Sequence, residues 1–206
     1  MANPAWKKTA ERMTPKGAFD PSRPSSTLTL DWVHGYRGFD CRNNVTYADV
    51  QNNQILYTAA SLSIVQINDK NEEENELKNI KSNKKQIYFG EHTDDIISIT
   101  MVENWNNNDN GNENQNESIL IATGEIGKIP AINIYDYNSV HQKFEMQACA
   151  KGFHTTGVSQ LCFSKNGNRL FSIGLDYTVA AYDTQRDKRT TGIFGKMVTQ
   201  EQFMYF

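Results

Sequence analysis

Short runs in which apolar and polar residues alternate follow one another through most of the chain, and they predict β-strands. Alternation with a period of two places every second side chain on one face of a strand, and almost no segment carries the 3.6-residue period of an amphipathic helix. The predicted strands are 45–47, 55–58, 62–67, 86–89, 96–102, 119–122, 132–135, 158–163, 169–173 and 178–182. Many short strands at close spacing predict an all-β sandwich, barrel or propeller.

Two units of similar order repeat within this part of the chain and favour the propeller. One unit begins at His92 and ends at Asp136, and the other begins at His154 and ends at Asp183. Each is a histidine followed by strand, turn, strand, turn, strand and an aromatic–Asp pair. This order resembles a WD-repeat blade, a unit of about 40–45 residues.

Polar side chains of these units can join their loops and strands. Asp176 lies in a predicted turn, where its carboxylate can accept hydrogen bonds from the His154 ring and from backbone N–H groups. In WD-repeat proteins the corresponding His, Ser/Thr, Asp and Trp link the strands of a blade, so the resemblance implies a structural network here. Its predicted members are His154, Ser172, Asp176, Thr178 and Tyr182, and in the first unit His92, Thr123, Tyr135 and Asp136. Tyr182 replaces the usual Trp, so its hydroxyl needs a different partner.

An aromatic and glycine-rich run precedes the strands. Trp32 and Tyr36 supply large apolar rings, glycines allow the backbone to bend tightly, and neighbouring charges can pair. The run resembles the HELP motif of the echinoderm microtubule-associated protein-like family in Leu30, Asp31, Trp32, Val33, Gly35, Tyr36, Arg37, Gly38, Asp40, Asn43 and Asn44. We expect the rings of Trp32 and Tyr36 to fill a core rather than to bind a partner directly.

The resemblance to this family extends over about 30–183 and implies a function. It implies a non-enzymatic β-propeller scaffold. The two repeating units and a degenerate third unit that ends near residue 69 make about three blades, a partial propeller, preceded by the HELP segment and an extended N-terminal arm. Such a scaffold binds tubulin or microtubules in the cytoplasm and cytoskeleton, including the axoneme of a cilium. The alternative is a general WD-repeat adaptor that holds proteins in a larger complex without touching the lattice.

The number of blades adds an expectation about partners. A closed propeller needs about four to eight blades, and three blades leave edges open to another chain. We therefore expect other WD-repeat or axonemal proteins to complete or cover the open propeller.

The N-terminal arm is rich in basic residues and proline. This composition predicts an extended, polar segment rather than a core. A basic arm suits the acidic surface of tubulin, and a solvated terminus with no binding role accounts for the composition equally well. The candidate docking residues are Trp6, Lys7, Lys8, Arg12, Lys16 and Arg23.

These observations divide the chain into segments. We expect an arm at 1–27, the HELP motif and a degenerate first blade at 28–69, a charged loop at 70–85, a blade at 86–137, a further blade at 143–187, and a C-terminal strand or tail at 188–206. An Asn-rich insertion at 104–118 interrupts the blade at 86–137. It is too polar to bury and has no chemistry of its own.

Composition and charge exclude several classes of function. With 38% hydrophobic and 22% charged residues the chain is typical of a soluble protein. A net charge of -3 gives no general attraction to nucleic acid, and no apolar stretch is long enough to span a membrane. Cys41, Cys149 and Cys162 lack the spacing of a disulfide framework or a zinc site, and the four histidines form no ligand cluster. We therefore predict no catalytic residue, no cofactor, no metal site, and neither nucleic acid nor membrane as a partner.

Overall fold

The computed structural model describes residues 26–68, 84–103 and 118–184, together with the backbone of 196–202. The chain divides into two units, Met1–Asp31 and Trp32–Phe206. In the first unit the described residues, 26–31, form no regular secondary structure. The predicted docking residues of the arm, nearly all of the charged loop and most of the Asn-rich insertion lie outside the described residues.

The described part of the second unit contains β-strands and no helix, so it also contains no helix that could cross a membrane. The strands are β1 (Val45–Asp49), β2 (Gln54–Ala59), β3 (Leu62–Ile67), β4 (Lys85–Phe89), β5 (Ile96–Glu103), β6 (Ser118–Glu125), β7 (Ala131–Asn138), β8 (Lys143–Lys151), β9 (Val158–Phe163), β10 (Arg169–Gly174), β11 (Thr178–Asp183) and β12 (Lys196–Gln202). The all-β prediction is confirmed.

These strands form three antiparallel sheets of four strands each. We call them the first sheet (β1-β2-β3-β4), the second sheet (β5-β6-β7-β8) and the third sheet (β9-β10-β11-β12), and in each the strands lie side by side in chain order. Successive strands in each sheet pair antiparallel. Three such sheets are consistent with blades of a partial propeller.

The blades predicted from the sequence, 86–137 and 143–187, are offset from the sheets by one strand. The sequence groups 86–89 with the residues that follow, but β4 pairs with β3 and completes the first sheet. It also places 143–151 with the later unit and predicts no strand there, whereas β8 pairs with β7 along its length and completes the second sheet. The chain therefore finishes each sheet with an outer strand before it crosses to the next sheet.

The second sheet is buried on both faces, because the first sheet covers one side and the third sheet covers the other. Ile121 and Tyr135 pack with Leu56 and Val65 of the first sheet. On the opposite face, side chains such as Leu120 and Ile134 pack with Leu170 and Tyr182 of the third sheet. Alternation along β6 and β7 sends neighbouring residues to opposite faces, so these two strands read as almost continuous apolar runs.

Backbone hydrogen bonds also join neighbouring sheets at one end of their strands. The N–H of Ile96, at the start of β5, donates to the carbonyl of Ala60 in the β2–β3 turn at 2.8 Å. Ile126, just after β6, forms an isolated bridge with Gly157, just before β9. We call this the loop end of the sheets. The HELP segment, defined here as residues 32–44, reaches the same end, because the N–H of Arg37 donates to the carbonyl of Thr58 at 3.4 Å.

Candidate functional site

The side chain of Gln86 attaches the HELP segment to the first sheet by bonding the backbone of Val33, as an adjacent β-strand would. The amide of Gln86, on β4, accepts from the N–H of Val33 at 2.9 Å and donates to the carbonyl of Val33 at 3.0 Å. Both backbone groups of Val33 are thus satisfied by one residue. The same amide nitrogen donates to the Tyr57 hydroxyl at 2.8 Å, which fixes its orientation.

Arg37 joins the HELP segment to the second sheet. Its Nε and Nη2 donate to the two carboxylate oxygens of Asp40, each at 2.8 Å, and its Nη1 donates to Asp95, immediately before β5. The hydrogen bond from Arg37 holds the pKa of the Asp40 carboxyl below its ordinary value. A planar guanidinium can satisfy both carboxylates at once, which a lysine cannot do.

The Tyr36 ring lies at the surface and is held there by its hydroxyl. The hydroxyl donates to Asn44 Oδ1 at 2.8 Å, and the Asn44 amide donates in turn to the carbonyl of Arg37. The ring meets Tyr57 edge-on with 6.5 Å between centroids, yet 55% of Tyr36 and 96% of Phe39 are exposed. The expectation that the Tyr36 ring fills a core is wrong. Asn44 is buried, and its hydrogen bond to the Tyr36 hydroxyl holds the ring at the surface.

The remaining residues predicted for the HELP motif differ in exposure and in backbone conformation. Trp32 is half-buried, while Leu30 and Asp31, which belong to the first unit, are exposed. Gly38 passes close to the Tyr36 ring, since an added Cβ would lie 2.9 Å from Cε1. Asn43 has φ of 54°, a left-handed conformation that asparagine tolerates better than most residues.

A shallow groove separates part of the HELP segment from the first sheet. Its volume is about 360 Å³. Residues 32–36 line one side, and Val45, Tyr57 and Gln66 line the other. Aromatic and apolar side chains dominate the lining, and Gln66 is the polar group of the sheet side.

A second cluster of polar side chains is buried in the second sheet at its loop end. His92 Nδ1 lies 2.9 Å from Glu125 Oε2, and His92 Nε2 lies 2.7 Å from Thr123 Oγ1. Glu125 also accepts from the backbone N–H groups of Thr93 and Ala131, both at 3.0 Å. A carboxylate only accepts, so Nδ1 carries the proton and Nε2 accepts from the threonine hydroxyl.

Burial and these bonds shift both ionisable groups. Desolvation lowers the pKa of His92, although its hydrogen bond to Glu125 opposes the shift. Burial raises the pKa of Glu125, but the hydrogen bonds from His92, Thr93 and Ala131 outweigh it, and the net pKa is lowered. The pair therefore holds a neutral imidazole beside an ionised carboxylate.

The third sheet contains the corresponding cluster. His154 Nδ1 lies 2.8 Å from Thr178 Oγ1 and 3.4 Å from Asp176 Oδ1, while its Nε2 lies 2.7 Å from Ser172 Oγ. Asp176 Oδ2 accepts from the backbone N–H of Thr155 at 2.7 Å. Burial lowers the pKa of His154. Burial raises the pKa of Asp176, but its bonds to Thr178 and Thr155 outweigh this and lower it.

Both histidine rings have their two nitrogens occupied by side chains of the same sheet, so neither ring is available to a metal or a substrate in this arrangement. Within the described ranges, no group of three or more His, Cys, Asp or Glu side chains is placed to hold a metal ion. These clusters tie the loops of each sheet to its strands.

Comparison with known proteins identifies the family of sequences in which residues 32–44 belong to a described motif. The family model described as the HELP motif matches residues 23–64. The resemblance to the echinoderm microtubule-associated protein-like family is confirmed. The chain is 26% identical over 182 residues to echinoderm microtubule-associated protein-like 1 of Rattus norvegicus, which covers 82% of this chain and 19% of that protein.

Two sea-urchin proteins give similar matches. Identity is 27% over 177 residues to the 77 kDa echinoderm microtubule-associated protein of Strongylocentrotus purpuratus, covering 81% of this chain and 21% of that protein. It is 29% over 149 residues to the protein of the same name from Lytechinus variegatus, covering 69% and 18%. The HELP-containing chain thus spans about a fifth of the length of the curated relatives it matches.

The structure brings most, but not all, of the predicted polar residues of the sheets together. Tyr182 contacts Ser172, and Tyr135 donates across to Ser63 of the first sheet at 2.6 Å. Asp136 lies outside the histidine cluster and accepts from Gln147 on β8 at 2.8 Å.

Sequence reasoning missed Glu125, the acceptor of the second sheet. The sequence pattern indicates Asp136 as the acidic residue of this unit, whereas Glu125, the last residue of β6, bonds the histidine. The sequence does carry a signal for Glu125. The order Gly124-Glu125 is similar to the order Gly174-Leu175-Asp176 in the other unit, with an acidic residue soon after a glycine.

Proposed function

We propose that this chain is part of a microtubule-associated structural protein and contacts the microtubule lattice through the HELP motif and its sheet scaffold. The observation that carries the proposal is a matched HELP motif that is fixed on the first sheet while its aromatic rings remain exposed. The names of the relatives describe microtubule-associated proteins. The proposed role is non-enzymatic and cytoskeletal in the cytoplasm, with the axoneme of a cilium as its more specific location.

The physical argument rests on rigidity together with exposure. Gln86 and Arg37 join the HELP segment to the first and second sheets, and Asn44 bonds the carbonyl of Arg37 within the segment. Little conformational entropy is therefore lost when a partner binds. Tyr36 and Phe39 then present aromatic surface, which is enriched in the cores of protein interfaces. A rigid segment with exposed rings is suited to docking on a large, regular protein surface.

A single substitution on the HELP segment tests this proposal. Phe39→Ala removes a ring that is 96% exposed, so it should leave the fold intact and raise the dissociation constant for microtubules about tenfold, the loss of roughly 1.4 kcal/mol expected for an interface aromatic. Co-sedimentation with stabilised microtubules measures it. Val140→Ala, 53% exposed in the turn between β7 and β8, is the matched control and should bind within twofold of the wild type.

The basic arm is proposed to add an electrostatic contribution to lattice binding. Its predicted docking residues are positively charged except for Trp6, and the interaction of exposed charges is screened as ionic strength rises. Deletion of residues 1–26 should therefore weaken pelleting at low salt and flatten its dependence on salt. Pelleting that is unchanged by deletion and by salt would contradict the role of the arm.

A general adaptor is the second candidate, and the exposed apolar side chains of β10 favour it. Phe171 and Ile173 are 39% and 43% exposed on a sheet face that nothing in the described ranges covers. An adaptor would use this face for a protein partner and ignore the lattice. The adaptor role predicts that the folded chain stays in the supernatant when microtubules are pelleted and that other proteins bind it through this face.

A further inference from the structure

The β6–β7 turn, residues 126–130, carries an exposed apolar side chain at the loop end of the second sheet. Ile129 is 67% exposed, although the first and third sheets pack on the two faces of the second sheet. Its exposure is therefore a property of the turn and does not depend on what covers the outer faces of the first and third sheets. The next residue, Pro130, is buried, so Ile129 projects from a turn whose base is packed.

Backbone hydrogen bonds hold this turn in one conformation. The N–H of Ile126 donates to the carbonyl of Asp95 at 2.9 Å, and the N–H of Gly127 donates to the carbonyl of Thr156, just before β9, at 3.1 Å. Gly127 has φ of 145°, a conformation that favours glycine, and Pro130 restricts its own φ. A turn fixed in this way loses little conformational entropy when a partner binds.

Asp95 connects the turn to the HELP segment. Its carbonyl accepts from the first residue of the turn, and its carboxylate accepts from Arg37. Arg37 also bonds Asp40, the residue next to Phe39, which is 96% exposed. The exposed side chains of Phe39 and Ile129 are thus held on one hydrogen-bonded framework at the loop end.

The turn brings no net charge to this surface. Lys128 is exposed beside Ile129. The exposed carboxylate of Asp94 lies next to Gly127, with its Oδ2 at 3.4 Å from the position of an added Cβ. One base and one acid leave the apolar side chain of Ile129 as the main group that a partner would bury. Salt screens interactions between exposed charges, so a contact through Ile129 should be insensitive to ionic strength, unlike one through the basic arm.

We propose that Ile129 is a further contact of this chain with the microtubule lattice, and that the binding surface runs along the loop end from Phe39 to the β6–β7 turn. This inference rests on the proposed function, which assigns the lattice to the HELP segment. The lattice is the occupant because the turn continues the framework that carries Phe39. Rigid apolar side chains form the core of an interface, and exposed polar groups such as Lys128 and Asp94 form its rim.

Co-sedimentation with stabilised microtubules at two salt concentrations tests this inference. Ile129→Ser removes the apolar side chain and should raise the dissociation constant about fivefold. The factor should be the same at low and at near-physiological salt, because no charge changes. Val140→Ser is the matched control, because Val140 follows β7 as Ile129 precedes it, lies at the opposite end of the sheet and is 53% exposed. It should bind within about twofold of the wild type.

Thermal melting establishes that each variant is folded before its binding is compared. If Ile129→Ser lowers the melting temperature, Ile129→Thr replaces it, because threonine keeps the branching at Cβ. Weaker binding of the folded variant, with the control intact, supports the inference.

Two other results separate the inference from the proposed function. If Phe39→Ala binds more weakly but the folded Ile129 variant binds as the wild type does, the inference is overturned and the proposed function stands. A folded wild-type chain that does not pellet overturns both. An equal loss in Val140→Ser overturns the inference as well, because the effect would not be specific to the loop end.

Discussion

Glu125 and Asp176 perform the same task from different positions in their sheets. Each carboxylate bonds a buried histidine and the backbone N–H that follows it, Thr93 in one sheet and Thr155 in the other. Glu125 does so from the last position of β6, and Asp176 does so from the turn, two residues after the end of β10. The longer side chain of glutamate compensates for the shift, so an aspartate in the turn indicates only the cluster of the third sheet.

Removal of the Glu125 carboxylate should be costly because it leaves several buried donors without a partner. Glu125→Ala deprives His92 and the N–H groups of Thr93 and Ala131 of their acceptor. We expect the free energy of unfolding to fall by about 1–3 kcal/mol, measured by urea denaturation. Glu125→Gln keeps one oxygen acceptor and should lose less. An unfolding free energy unchanged by Glu125→Ala would contradict the role assigned to this network.

The same groups predict that acid destabilises the protein. His92 and His154 have pKa values lowered by burial, so between the folded pKa and the unfolded pKa of about 6.5 the unfolded chain binds more protons. Their contribution is complete above about pH 6.5 and is lost as the pH falls below it. Glu125 and Asp176, whose pKa values are also lowered, add a further loss below roughly pH 4. The melting temperature should therefore decline from pH 7 to pH 5; a rise over this interval would contradict the assignment.

The strands show what the pattern of a sequence can and cannot predict. Strands of the inner positions, such as β6 and β10, were predicted because packing on one or both faces imposes apolar residues at fixed spacing. β8 was missed because it is an outer strand: Lys143, Glu145 and Met146 are exposed, and little burial constrains its composition. The HELP segment is not a strand at all, and its surface position depends on Gln86 and Asn44, whose contacts local pattern does not reveal.

The HELP segment connects the first sheet to the second sheet through its hydrogen bonds. The Arg37 guanidinium bonds Asp95, immediately before β5. The Arg37 side chain is 21% exposed and the Asp95 side chain is 43% exposed. We expect a double-mutant cycle of Arg37→Ala and Asp95→Ala to give a coupling energy of about 0.5–1 kcal/mol, since solvent screens the pair.

Denaturation of the two single variants and the double variant measures this coupling. Arg37→Lys keeps the charge but loses the forked geometry, and it should recover only part of the lost stability. Additive effects of the two alanine substitutions would show that Arg37 does not join the sheets through Asp95. Arg169→Ala, at an exposed position on β10, removes the same charge as Arg37→Ala and serves as its control.

At the scale of the whole molecule, sequence periodicity predicted the all-β class and the family resemblance predicted the propeller scaffold. The division between sheets was not predictable in the same way. The predicted blades 86–137 and 143–187 each include the outer strand of one sheet and three strands of the next, so the predicted blade and the sheet differ by one strand.

Binding of the intact, folded chain to microtubules tests the central claim most directly. Co-sedimentation at low and at near-physiological salt should give saturable pelleting, with an affinity that falls as salt rises and that Phe39→Ala weakens while Val140→Ala does not. A chain that melts cooperatively, and is therefore folded, but remains in the supernatant at low salt would contradict lattice binding by this scaffold.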